Sequence, residues 1–172
     1  MSIAIPRGED PFLPLPAFAF HVSFSGGSFA PLGGVEAAVS GGFSEITGLE
    51  ATMEPKVIRA GGINYGAVQR PGPVSFATVV MKRGIVEARH LWAWWSLFAG
   101  ADRKANGGWA RAHRCNVHIA LMRERRAVLG WTLEKAMPVK FRVGDLNARG
   151  TEVAVEELHL AHEGLHMAEV GR

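Results

Sequence analysis

Apolar residues recur at every second position through Phe18, Phe20, Val22 and Phe24, with Ala19, His21 and Ser23 between them. That is the period of a strand with one buried face. The alternation returns at Val74, Phe76, Thr78 and Val80, interleaved with Ser75, Ala77, Val79 and Met81. Both faces are fairly apolar there, which predicts one strand that is central or covered by a neighbour. Cys115, Val117, Ile119 and Leu121 alternate with Asn116, His118 and Ala120 as a further strand. A polar turn from Arg123 to Arg126 predicts a hairpin, with Val128 to Leu133 running back antiparallel. Val153 to Leu160 alternates only in part, and its Glu156-Glu157 pair points to a bulge or a sheet edge. The period changes from Glu87 to Phe98, where Leu91, Trp95 and Phe98 fall at i, i+4 and i+7 and Trp92 widens the stripe; this predicts a helix.

Glycine and proline punctuate the rest. Residues 1–16 form an extended, Pro-punctuated arm, and residues 25–41 have the Gly, Ser and Pro content of a long exposed loop. Gly42 to Glu50 and Ala51 to Arg59 are two short extended pieces, with Gly48 as a bend and Pro55 limiting the second to an edge or bulge. Gly61 and Gly62 then permit a turn. Six or more strands with one helix predict a mainly β fold, a small barrel or two-sheet sandwich with one flanking helix. A length of 172 residues fits one such domain, 17–172, behind the arm.

Composition narrows the functional classes. The 19 basic and 16 acidic residues are spread without a long single-sign run, so nucleic acid is not indicated as a partner. A single cysteine, Cys115, has no disulfide partner in the chain and fits a reducing compartment. Pro6, Glu9, Asp10, Pro11, Pro14 and Pro16 interrupt the stretch where a secretory signal would be apolar, and the longest apolar run, Leu91 to Gly100, is too short to span a bilayer. Synthesis in the cytoplasm is the expectation.

Candidate chemistry is sparse. His159, His162 and His166 would need one helix face to hold a metal, but their segment begins as a strand, which sends 159 and 162 to opposite sides. A Cys/His nucleophile from His113, Cys115 and His118 fails similarly, since a strand parts 115 from 118; a buried thiol on an apolar face is the simpler reading. A phosphate-binding loop ending in Gly-Lys-Ser/Thr is missing. Arg103, Lys104, Arg111 and Arg114 beside Trp109 have the make-up of a solvated basic loop, and Trp92, Trp94 and Trp95 stand at helical spacing suited to a core or a subunit contact. Neither a catalytic residue nor a metal nor another cofactor is expected.

An ordered series of segments carries a resemblance. It runs from Phe18, Phe20 and Val22 through Gly42, Phe43, Ile46, Gly48 and Leu49 to Arg59, Gly61 and Gly62. It continues with Met81, Lys82, Arg83 and Gly84, then Leu91, Trp92 and Trp94, then Trp131, Leu133, Ala136 and Pro138. It ends with Val153, Val155 and Leu158 leading into His162, Glu163, Gly164 and Leu165. Taken in this order, over about residues 17–165, they resemble the tail-tube family of contractile phages and extracellular contractile injection systems.

The resemblance implies a tail-tube or hemolysin-coregulated-protein-like barrel, a structural subunit of the inner tube. Six copies would close into a ring, and rings would stack inside a sheath. Sheath subunits and a baseplate hub, spike or tube paralogue are the implied partners, within a phage-tail-like particle. The long loop at 25–41 and the Pro-rich arm fit a baseplate-proximal initiator ring as well as the repeating tube. Residues 50–66 would form an excursion toward the next ring, with Glu50, Glu54, Lys56, Arg59, Gly61, Gly62 and Asn64 as stacking residues; a solvated hairpin is the plainer alternative. The strand near Val153 would supply a subunit-contact edge through Val153, Val155, Glu157, His162, Glu163 and Leu165. A second functional reading is a small ligand-binding β module with an exposed tryptophan platform, which an exposed Trp94 would favour.

Overall fold

The computed structural model describes residues 20–26, 41–59, 61–62, 65–87, 89–100, 113–123, 126–146 and 154–168. Its strands are β1 (Phe20–Ser25), β2 (Gly41–Phe43), β3 (Glu45–Thr47), β4 (Ala51–Met53), β5 (Lys56–Ile58), β6 (Val68–Arg70), β7 (Val74–Phe76) and β8 (Val79–Gly84). After helix α1 (His90–Ala99) come β9 (Cys115–Arg123), β10 (Arg126–Val143), β11 (Val155–Ala161) and β12 (Gly164–Ala168). The Pro-rich arm, most of the loop at 25–41 and the basic residues Arg103, Lys104 and Arg111 lie outside the described residues, as do Asn64 and Val153.

The main sheet runs β2-β1-β9-β10-β11-β8-β3, with β12 also on β10. Only Ser44 separates β2 from β3, and its N–H and hydroxyl both donate to the Lys82 carbonyl. The sheet path therefore starts and ends on one short piece of chain, and the strands wrap around a shared interior. The 18-residue β10 joins the two layers. Its first half lies between β9 and β12; its second half pairs with β11. The strand turns where its register against β9 shifts between Leu133 and Ala136. Lys135 there has φ 48, an uncommon conformation for a side-chain-bearing residue, and its N–H is held by Asn116 Oδ1. A second shift falls at Pro138, which has no N–H to give the ladder.

The interior follows from the alternation. Val22 and Phe24 of β1, Val117 and Ile119 of β9 and Leu133 of β10 point inward from one layer, and Val79, Met81, Leu158 and Leu160 meet them from the other. Helix α1 closes one side with Leu91 and Trp94. Trp94 packs edge-on against Phe24 with centroids 5.5 Å apart and donates its indole N–H to the His113 carbonyl. Gly100, in the left-handed conformation, ends the helix.

Three expectations change. The strand foreseen from Val74 to Met81 is two strands: β7 belongs to an exposed ribbon, and only β8 enters the main sheet. The helix starts at His90 rather than near Glu87, and it buries Leu91 and Trp94 most deeply, with Trp95 and Phe98 of the expected stripe only partly buried, because the core sits on the Leu91–Trp94 side. Finally, β11 is not an edge. It lies between β10 and β8, and Glu156 is buried against Arg83, with Nε to Oε1 at 2.6 Å. The Glu156-Glu157 pair marks a buried ion pair beside an outward residue; among the described residues it is β12, one element further on, that pairs on one side alone.

Candidate assembly surface

The chain leaves the main sheet after β3 and returns just before β8. Gly48, at φ 82, starts the excursion, and any Cβ there would come within 2.2 Å of the Thr78 carbonyl oxygen on the returning strand. From this root β4 pairs with β7, and β5 pairs with β6 beyond them, as one antiparallel ribbon. Pro55 falls between the two ladders, and the pairing slips by a residue there: Met53 stands opposite Val74, but Lys56 stands opposite Arg70. Gly72 makes the slip possible, since a Cβ on it would lie 1.9 Å from the Glu54 carbonyl oxygen. The ribbon is the excursion expected at residues 50–66, extended by its return strands.

Every residue of β4, β5 and β6 is exposed. Met53, Val57, Ile58, Val68 and Val74 all show large apolar surface, and Tyr65 near the tip is 100% exposed. Two-stranded ribbons are marginal in water on their own, and clustered exposed apolar side chains mark contact surfaces. Of the expected stacking residues, Glu50 accepts a hydrogen bond from Thr52, while Lys56 and Arg59 form no ion pair among the described residues. Gly61 and Gly62 form the turn, Gly62 at φ 88. Sequence reasoning missed Arg70, which lies across the ribbon from Lys56; counting from the Gly61-Gly62 turn does not pair the two, and the register of β5 with β6 does.

At the ribbon's root, Phe76 meets the His162 ring at 5.2 Å. His162 and Glu163 form the step between β11 and β12, and Leu165 follows on β12. Glu163 receives Arg114 and Lys135 together, the latter at 3.0 Å. The hydrogen bond from Lys135 chiefly, aided by the charges of Lys135 and Arg114, holds its carboxyl below the usual carboxylate range against the opposing effect of desolvation. These groups with Met137, Ala161 and His162 line a cleft of about 150 Å³. Among the described residues β12 pairs with β10 alone, leaving its other backbone edge without a strand, whereas Val155 and Glu157 lie on a strand paired on both sides.

The remaining candidates are parted. Cys115 is in the core, where burial pushes its thiol up to about 12. His118 faces the other way, between the hydroxyls of Ser25 (2.6 Å) and Thr132 (3.0 Å), tying three adjacent strands together. Of the three histidines, His159 stands beside Glu157, His162 against Phe76, and His166 beside Glu134. Trp94 is buried; Trp92 is half-exposed, tilted against Trp95 and edge-on to Phe141.

Residues 16–166 match the family model described as T4-like virus tail tube protein gp19. Among solved structures, a chain of the six-fold symmetrised anti-feeding prophage baseplate is 26% identical, with a TM-score of 0.66 over 92% of this chain and 97% of that one. A chain of the extended sheath–tube complex of the PVC extracellular contractile injection system has a TM-score of 0.69 at 18% identity, covering 92% and 93%. One from the anti-feeding prophage tube-terminating cap gives 0.67 at 17%, covering 96% and 99%. No curated protein matches.

Proposed function

Because the chain belongs to the T4-like virus tail tube protein family, we propose that it is a subunit of the inner tube of a contractile injection system, as the repeating tube protein or as the ring that begins it at the baseplate. The family and its structural neighbours are structural tube and cap proteins rather than enzymes. Six copies close into a ring, rings stack, and the stack meets sheath subunits outside and a baseplate hub, spike or tube paralogue at its end. The likeness to baseplate and sheath–tube chains supports these partners and a place in a released phage-tail-like particle.

One observation carries the proposal: an exposed, apolar and charged ribbon that the isolated subunit does not cover. Stacking on a neighbouring ring covers it. Within a ring, the free edge of β12, with His162, Glu163 and Leu165 around it, takes the adjacent subunit, since ring closure removes sheet edges that would otherwise pair at random. Reversing Lys56 and Arg59 to Glu leaves folding and ring closure intact and blocks stacking. Negative-stain microscopy beside the parent decides this, and long tubes formed normally by the double variant contradict it. The tryptophan-platform reading has lost its anchor, because Trp94 is 1% exposed.

A further inference from the structure

Strand registers fix the pole of the fold at which each exposed feature lies. The ribbon leaves beside Val79, the β8 residue opposite Leu160. At the far end of β8, Gly84 faces Val155, and Val143 faces Glu156. The chain segments leaving these strands are fixed there, Ile85 donating its N–H to Ala154 and Gly144 to Val155. This opposite pole carries Ile85, Val86, Val143 and Leu146, all exposed, Leu146 by 72%. Two carboxylates flank them, Glu87 and Asp145, both exposed and without an ion pair among the described residues. Arg142 is engaged by Glu157 and Arg83 by Glu156, while Arg89, at the N-cap of α1, pairs with neither flanking acid.

The ribbon is the counterpart in kind. No Asp or Glu occurs between Glu54 and Glu87, so the charges of its outer half, Lys56, Arg59 and Arg70, are all positive. Lys56 and Arg70 stand directly opposite each other, an arrangement that repels until an anion lies beside it. Val57, Ile58 and Val68 supply apolar surface next to them. From Ala51 to Ile58 the ribbon extends roughly 25 Å at ~3.3 Å per residue, enough to reach across to another molecule.

We infer that the pole bearing Ile85, Val86, Val143 and Leu146 is the acceptor for the ribbon of a second copy of this chain, with Glu87 and Asp145 receiving Lys56 and Arg70. The outer half of the ribbon is apolar and cationic, and the opposite pole offers apolar surface with the carboxylates of Glu87 and Asp145 exposed beside it. Two different patches of one chain that match in this way make a head-to-tail contact, which continues from copy to copy. The inference rests on the stacking proposal above and adds where the ribbon lands.

A charge exchange tests it. Glu87→Lys with Asp145→Lys raises the protein concentration needed for tubes by more than about tenfold, because the defect is repeated around each ring. Lys56→Glu with Arg70→Glu does the same, and the chain carrying all four changes regains tubes. Sedimentation and negative-stain microscopy read all three, with circular dichroism confirming that each folds. Normal tubes from the acidic-pole variant, with none from the ribbon variant, overturn the acceptor assignment and leave ribbon-mediated stacking standing. Failure of the fourfold variant to regain tubes overturns the assignment as well. Normal tubes from both double variants, or none from the parent, overturn the stacking proposal and this inference together.

Discussion

Arg83 and Glu156 form the buried ion pair that holds β8 to β11, with the guanidinium 5.6 Å from the centre of the Phe43 ring. Removing one partner strands the other in the core, so Glu156→Ala costs about 3–5 kcal/mol, whereas replacing both with apolar residues of similar volume costs much less. Urea denaturation of the two variants checks the difference. Trp94→Ala likewise costs about 3–5 kcal/mol, since it opens a cavity between Phe24 and α1 and removes the indole hydrogen bond to the His113 carbonyl. Cys115 behaves as a hydrophobic residue. Burial raises its pKa from 9.0 to about 12, so the neutral thiol is favoured by folding: that contribution is complete below pH 9 and is lost as pH rises toward 12. A thiol reagent at pH 8 therefore reacts with the unfolded chain and not with the native one; rapid labelling of native protein contradicts this. Glu163 has the opposite sign. Its lowered pKa means that the bridge to Lys135 and Arg114 contributes above the ordinary value of 4.5 and fades as pH falls through the depressed one. A carboxyl resonance titrating at or above 4.5 rules that out.

At the scale of elements, the ribbon should be separable from the core. Gly72→Ala forces a Cβ toward the Glu54 carbonyl, which distorts the ribbon at its slip while leaving the sheet that contains Val22, Ile119 and Leu158 in place. The expected result is an ordered core with stacking lost; a global loss of stability comparable to Trp94→Ala would contradict the separation. The sequence shows β1 and β9 plainly, because Val22 and Phe24, and Val117 and Ile119, alternate cleanly with outward residues. It shows the bend at Gly48 and the break at Pro55 for the same local reasons. It hides what tertiary contacts decide. Val74 to Met81 has one unbroken alternation, and only the pairing of β7 with β4 and of β8 with β11 separates ribbon from sheet. Glu156 and Glu157 suggest an edge by their charge, but Arg83, far away in sequence, compensates the inward one. Of the residues proposed for stacking, Lys56 on β5 is visible in the sequence, whereas Arg70 needs the ribbon register.

On the scale of the whole molecule, the parts are arranged for repetition more than for catalysis. The strands wrap around an apolar interior, an uncovered ribbon leaves one pole, and β12 has, among the described residues, a strand on one side alone. Each feature is a liability for a solitary subunit that the proposed assembly would cover. Salt discriminates between their roles: screening weakens exposed charge pairs, so stacking should fall as ionic strength rises while ring closure through a backbone edge changes little. Self-assembly is measured most directly as the mass and shape of the purified, untagged chain over a range of concentrations, by light scattering after size exclusion with negative-stain microscopy of the same fractions. Six-membered rings that stack into hollow tubes as concentration rises are the predicted result; a chain that stays monomeric at high concentration contradicts the account.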